Sequence, residues 1–334
     1  MLKVGAAGAA VTGAAWVAPS IVSVDAAAAA TAPPTGRLVY IVNLFDASLS
    51  VIDPAAGNTV VDTIVVGGFP RSAAVSPDAT VVYVANQSGG TIDAFDTTTG
   101  TPSGPSVPVG GAPRGITIAP GGTIAYVTNE GVARVTVVDL VARTVVGPQI
   151  VVGNSPAFSA ILPSGTKLYV SNAGDGTVSV IDTTTPTPTV VATVGVGDSP
   201  SAVAASPDGT VVYVPNSGGS DNTISVIDTT TDAEIDTIAV GGGPVSVAFA
   251  PDGARAYVSN QFSGVVSVID TATRTVIDTI PVGATPEGLA ISPDGAFVYV
   301  PNQADDDVSI IDTANLSATP ARVTVGNYPI FSAT

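Results

Sequence analysis

The residues best suited to bind a ligand occupy one position of a repeating pattern. A proline opens each of seven similar segments, and the residue after it differs between copies: Arg71, Arg114, Ala157, Ser201, Val245, Glu287 and Ile330. Arginines on neighbouring segments can bind a carboxylate or a sulfate together through paired N–H donors. We therefore predict a ligand site at this position, with Arg71, Arg114 and Glu287 as its charged members.

Three further polar residues precede the same prolines by two positions. They are Asn154, Asp198 and Asn327, where the other copies have Gly or Ala. We expect them to add polar groups to the same site, and we predict a small molecule or a glycan as the ligand. The alternative is that all six residues are ordinary solvated loop residues.

The residue types that most enzymes use are missing from this sequence. It has no Cys and no His, its one Met is Met1, and its one Trp is Trp16. Thiol nucleophiles, imidazole bases, His or Cys metal sites and the usual haem ligands are thereby excluded. We expect no catalytic residue, no metal-ligating residue and no cofactor.

An acidic run is the one feature that suggests an alternative, a bound divalent cation such as calcium. Asp305, Asp306 and Asp307 follow one another, and Asp221 and Asn222 lie in the matching loop of another segment. Oxygen-rich loops can hold Ca²⁺. This run has no metal-loop spacing, however, and consecutive side chains point apart.

The charge of the chain limits its partners. It has 27 acidic and 10 basic residues, for a net charge of −17. Such a surface repels nucleic-acid phosphates and anionic lipid headgroups. We expect no nucleic-acid partner.

The sequence repeats with a period of ~43 residues, which is typical of repeat folds. The candidate ligand-binding residues lie at equivalent positions of these repeats. A Tyr and an Asn three residues later recur seven times, beginning at Tyr40/Asn43 and ending at Tyr299/Asn302, and an Asp such as Asp53 or Asp312 follows at a fixed offset. Residues shared by all copies are best explained by what every copy needs structurally, namely packing and turn capping.

One repeat contains four short strands separated by turn residues, as between Gly197 and Gly241. Four-stranded units of this length are propeller blades. The chain enters at a second strand and ends on one that matches the start of a repeat. We therefore predict an all-β, seven-bladed β-propeller over residues 38–334, built of four-stranded antiparallel blades. We expect residues 330–334 to close the ring as the inner strand of the first blade.

The motifs YVAN, YVTN, YVSN and YVPN, with SVID and SPDG at fixed offsets, resemble the YVTN propeller repeats of surface-layer and other exported prokaryotic proteins. The resemblance covers residues 38–334 and implies a seven-bladed propeller at the cell surface. The second and third copies depart from it, with IDAFD and with APGG and VTVVD.

Residues 1–32 have the layout of a cleaved export signal. Lys3 precedes a long run of small and apolar residues, and an alanine cluster follows. Export would use the Sec or twin-arginine route, and residues 33–37 form a short spacer. We expect a secreted or cell-surface protein whose mature form has no transmembrane anchor.

These observations favour a non-catalytic binding or structural scaffold of the cell envelope. It would recognise a ligand, or a protein or glycan partner, through the mouth or rim of the propeller. Some propellers are lactonases, so the alternative is a metal-dependent lactonase-like hydrolase that uses Glu, Asp and Asn at the central channel.

Overall fold

The structure is a computed structural model that describes residues 37–317 and 319–334. The predicted export signal and all but Arg37 of the predicted spacer lie outside the described residues. No helix in the described part of the chain is long and apolar enough to cross a membrane.

The described residues form seven antiparallel sheets arranged as the blades of a ring, as predicted. From the axis outward, blade 1 consists of Pro329–Ala333, Val39–Asn43, Ser48–Asp53 and Thr59–Val65. Blade 2 consists of Pro70–Val75, Val81–Asn86, Thr91–Asp96 and Val107–Pro108. Blade 3 consists of Pro113–Ile118, Ile124–Asn129, Arg134–Asp139 and an outer strand in two pieces, Thr144–Val145 and Ile150–Val151.

The other four blades repeat this plan. Blade 4 consists of Pro156–Ile161, Lys167–Asn172, Thr177–Asp182 and Thr189–Gly195, and blade 5 of Ala204–Ala205, Val211–Asn216, Thr223–Asp228 and Ala233–Ala239. Blade 6 consists of Pro244–Phe249, Arg255–Asn260, Val265–Asp270 and Thr275–Pro281, and blade 7 of Ala290–Ile291, Phe297–Asn302, Asp307–Asp312 and Ala321–Thr324. Two 3₁₀ turns are present at Pro54–Ala56 and Glu130–Val132.

The apolar pattern of the strands follows from the stacking of the blades. The second and third strands of each blade face a neighbouring blade on both sides, so nearly all their Val, Ile and Tyr side chains are buried. The outermost strands lack this cover. In Ala233–Ala239, for example, a single side chain is buried. The exposed β-branched residues of this strand favour the extended backbone conformation.

The ring closes as predicted, because the C-terminal strand completes blade 1. Pro329–Ala333 pairs antiparallel with Val39–Asn43. Ser332 also donates its backbone N–H to the carbonyl of Gly288 in blade 7 at 2.9 Å. The last strand therefore binds both its own blade and the preceding one.

The repeated Asn is structural. In six blades it is buried, and its Nδ2 donates to a hydroxyl on the third strand of the same blade at 2.8 to 3.0 Å: Asn43 to Ser50, Asn129 to Thr136, Asn172 to Ser179, Asn216 to Ser225, Asn260 to Ser267 and Asn302 to Ser309. The repeated Asp caps a turn. Asp96, for example, accepts from the backbone N–H groups of Thr98 and Thr99, each at 2.9 Å, and these bonds hold the pKa of its carboxyl below the usual range.

Blade 2 is the exception, and it allows a test of this network. Asp93 stands where the other blades have Ser or Thr, and the side chain of Asn86 has no hydrogen-bond partner among the described residues. Because a buried unpaired amide costs about 1–3 kcal/mol, Asp93→Ser is expected to stabilise the protein by about 1 kcal/mol, or roughly 2–4 °C in melting temperature. Thermal unfolding followed by circular dichroism measures this shift.

Asp198→Ser is the matched control, because it removes the same charge from an exposed loop. It should leave the melting temperature nearly unchanged. An Asp93→Ser variant that melts at or below the parent temperature would show that the missing hydroxyl is not what blade 2 lacks.

Candidate functional site

A cavity of about 490 Å³ opens at the mouth of the central channel. Its volume falls within the range of about 300–1,000 Å³ typical of small-molecule sites. Six of the seven residues that follow the blade-opening prolines line it: Arg71, Arg114, Ser201, Val245, Glu287 and Ile330. The three charged residues predicted at this position therefore share one cavity.

Blade 4 differs from the predicted arrangement. Ala157 is fully buried, and its carbonyl accepts from the Thr128 hydroxyl at 2.7 Å. The side chain that lines the cavity in this blade is that of the next residue, Phe158. A methyl group is too short to reach the cavity, whereas the phenyl ring extends into it.

A second set of residues at the mouth was missed in the sequence. These residues directly follow the repeated Asn, and those that line the cavity are Leu44, Ser217, Gln261 and Gln303. They vary between copies in the same way as the residues after the prolines. Comparing the blades at this second position would have identified them.

Arg114 is held in place by the protein itself. Its Nη1 donates to Oε1 of Glu130 at 2.6 Å, and its guanidinium carbon lies 5.5 Å from the centre of the Phe158 ring. Glu130 is also at the position after the repeated Asn, in blade 3. This ion pair neutralises one of the two positive charges at the mouth.

Arg71 lines the same cavity, but its guanidinium has no hydrogen-bond or ion-pair partner in the described part of the chain. Burial lowers the pKa of Arg71, and the positive charge of Arg114 lowers it further. A guanidinium remains charged at neutral pH even so. Arg71 therefore presents to the cavity a positive charge without a directly paired carboxylate, together with free N–H donors.

Glu287 is in blade 7, so blade 1 with its closing strand lies between Glu287 and Arg71 of blade 2. Its Oε1 accepts from Nε2 of Gln261 at 2.5 Å and from Nε2 of Gln303 at 3.1 Å. Burial raises the pKa of Glu287 to about 7, although the Gln261 bond and the arginines Arg71 and Arg114 act in the other direction. This carboxyl changes its charge near neutral pH.

Asn154, Asp198 and Asn327 do not line the central cavity, contrary to expectation. They are exposed on the loops around it, and each donates its backbone N–H to an aspartate of an adjacent loop: Asp175, Asp221 and Asp46, at 2.7 to 2.8 Å. These bonds hold the loops together, and the side-chain amides of Asn154 and Asn327 also donate to the same aspartates. Asn327 instead borders a neighbouring, shallower pocket.

The acidic run of blade 7 makes contacts within the protein. Asp305 and Asp307 both form ion pairs with Arg322, and Asp306 accepts from the backbone N–H of Tyr328 at 2.8 Å. Each of the three carboxylates therefore has a partner within the protein, and two of them pair with the same arginine. Nowhere in residues 37–317 and 319–334 do three or more His, Cys, Asp or Glu side chains form a metal-binding group.

Aromatic rings fill the channel beneath the mouth. Phe158 of blade 4 stacks on Phe331 of the closing strand, with ring centres 6.0 Å apart and planes 12° apart. Phe331 is buried, and Ala73 and Ala202 belong to the same apolar cluster. The charged groups of the mouth therefore lie above an apolar floor.

The sequence also matches a known family model in part. Residues 165–296, from blade 4 into blade 7, match a family described as YNCE-like β-propeller. The chain is a β-propeller. A search of curated proteins finds no match to it.

Solved structures share the fold of this propeller at low sequence identity. The structure of Kuenenia stuttgartiensis hydrazine synthase matches with a TM-score of 0.76 and 22% identity, covering 84% of this chain and 94% of that one. A Lactobacillus plantarum protein matches with a TM-score of 0.77 and 18% identity, covering 89% and 98%. A putative 6-phosphogluconolactonase from Bacteroides uniformis matches with a TM-score of 0.76 and 15% identity, covering 89% and 99%. At these identities the likeness concerns the fold alone.

Proposed function

We propose that this propeller is an exported, non-catalytic binding module of the cell envelope, and that it binds a carboxylate-bearing ligand at the channel mouth. The observation that carries the proposal is the guanidinium of Arg71, which faces the cavity without an acceptor from the described residues. Arg71 is only partly exposed, and a ligand carboxylate would satisfy its donors through charge-assisted hydrogen bonds. The leader-like sequence of residues 1–32 and the acidic composition support the cellular location.

The arrangement of the mouth favours an anion over a cation. Arg71 and Arg114 supply two positive charges, and Glu130 neutralises one of them. Glu287 has a pKa of about 7, so its charge is only partly present at neutral pH. The amide groups of Gln261 and Gln303 can exchange their bonds to Glu287 for bonds to a ligand.

Arg71→Gln is expected to weaken the binding of a small carboxylate such as succinate by about 10- to 100-fold, because hydrogen bonds to charged groups contribute about 1.5–3 kcal/mol. Isothermal titration calorimetry measures the affinity. Arg274→Gln is the control, since Arg274 pairs with Asp236 away from the mouth and its loss changes the net charge equally. Equal binding by the parent protein and both variants would refute the proposed site.

A lactonase-like hydrolase is the second candidate, and Glu287 is the observation that favours it. A carboxyl with a pKa of about 7 is suited to act as a general base at neutral pH, and two putative 6-phosphogluconolactonases share the fold. The metal-dependent form of this reaction lacks a donor set in the described residues. If the parent protein hydrolyses a sugar lactone and the Glu287→Gln variant does not, the result would favour this candidate over the binding module.

A further inference from the structure

Two aromatic residues form a platform at the edge of the mouth. Phe45 and Tyr328 pack together with ring centres 4.3 Å apart and planes 32° apart. Phe45 is 60% exposed, which is unusual for a phenylalanine and places its ring in contact with solvent. We call this pair the aromatic platform.

Only blade 1 combines two aromatic residues at these positions. The residue two after the repeated Asn is Phe45 here, and the other copies have Ser88, Gly131, Gly174, Gly218, Phe262 and Ala304. The residue before the blade-opening proline is Tyr328 here, and the other copies have Phe69, Ala112, Ser155, Ser199, Gly243 and Thr285. Because the fold does not need aromatic rings at these positions in the other blades, the platform is specific to this site.

The aromatic platform borders both the central cavity and the shallower pocket beside it. Phe45, Tyr328 and Gln303 line both spaces, so the two are continuous across these side chains. On the cavity side the aromatic platform shares the lining with Arg71. On the outer side the pocket is lined by Thr285, Asn327 and the acidic Asp306, whose carboxylate accepts from the backbone N–H of Tyr328 at 2.8 Å.

This combination matches one class of ligand. The negative face of an aromatic ring attracts the partly positive C–H groups of a pyranose ring, and polar side chains around it can bond sugar hydroxyls. A carboxylate on the same sugar would reach Arg71. Flat cations would also stack on aromatic rings, but Arg71 repels them.

We infer, on the basis of the proposed carboxylate site, that the ligand is a uronic acid residue of an oligosaccharide. Its pyranose ring stacks on the aromatic platform, its carboxylate bonds the guanidinium of Arg71, and its hydroxyl groups face Gln303 and Asn327. Phe45 and Tyr328 thus determine the choice of a sugar acid over other carboxylates.

The test compares a galacturonic acid trimer with the neutral galactose trimer by isothermal titration calorimetry. We expect the acidic trimer to bind at least 10-fold more tightly than succinate, and the neutral trimer to bind at least 10-fold more weakly than the acidic one. Phe45→Ala should weaken binding of the acidic trimer by about 10-fold, a much larger loss than for succinate, which has no ring to stack on the aromatic platform. Phe262→Ala is the matched control, because Phe262 has the equivalent position in blade 6 and is 74% exposed.

The outcomes separate the inference from the proposed function on which it rests. If succinate binds through Arg71 and Phe45→Ala does not affect the acidic trimer, the carboxylate site stands and the sugar inference is wrong. If neither succinate nor the trimer binds the parent protein, both fail. If Phe45→Ala and Phe262→Ala lose equal affinity for the acidic trimer, the inference would also be overturned, since the effect would not be specific to the aromatic platform.

Discussion

Deleting residues 330–334 is expected to abolish the folded ring. The deletion removes the inner strand of blade 1 and its pairing with Val39–Asn43. Loss of the buried Phe331 side chain alone should cost about 3–5 kcal/mol, which is a large part of a typical total stability of about 5–15 kcal/mol. The bonds from Ser332 to Gly288 and from Thr334 to Ile291 are lost as well. Circular dichroism and urea unfolding measure the result.

Two single substitutions make this prediction specific. Phe331→Ala should lower the free energy of unfolding by about 3–5 kcal/mol, whereas Phe262→Ala, which changes an exposed ring, should stay within about 0.5 kcal/mol of the parent. The deletion variant should also aggregate, because the inner edge of Val39–Asn43 becomes unpaired. A deletion variant that unfolds at the parent urea concentration would contradict the closure described above.

Replacing Glu287 by Gln is expected to stabilise the protein at high pH. The pKa of Glu287 is raised from 4.5 to about 7 in the folded protein, so between these values the native state binds more protons than the unfolded state. Stability from this group therefore falls as the pH rises from about 4.5 through 7, and the full penalty is present above pH 7. At pH 8 Glu287→Gln should be about 1–3 kcal/mol more stable than the parent.

The difference between the parent and the variant isolates this group from the other carboxyls. Urea unfolding at several pH values should give nearly equal stabilities at pH 4 and the full difference at pH 8. Glu234→Gln, on an exposed outer strand, should give no such pH-dependent difference. A Glu287→Gln variant that differs from the parent by the same amount at both pH values would show that Glu287 titrates normally.

Most of the fold was predictable because the seven copies of the repeat align closely with one another. Seven copies of Tyr40/Asn43 and its equivalents fixed the blade number, and the half repeat at the C-terminus fixed the closure. The structural roles of Asn and Asp were predictable for the same reason, since every blade needs them. In blade 2 the sequence shows only that IDAFD replaces the usual motif. The structure was needed to show that the side chain of Asn86 lacks a hydrogen-bond partner among the described residues.

The site was predictable where it depends on position in the repeat. Arg71, Arg114 and Glu287 share one cavity because equivalent positions of a ring converge on its axis. The pairing of Asn154 with Asp175 recurs at equivalent positions as Asp198 with Asp221 and Asn327 with Asp46, so comparing the copies at both positions would have identified it. Whether Ala157 or Phe158 reaches the cavity depends on side-chain length and local backbone path, which the spacing of prolines leaves open.

The closing segment and the binding site are parts of the same structure. Tyr328 and Ile330 line the cavity, and both lie in the segment that closes the ring onto blade 1. A ring that opens at this closure keeps Arg71 but loses Tyr328 and Ile330 from its pocket. A ligand that binds only the closed ring would therefore stabilise the closure and oppose its opening.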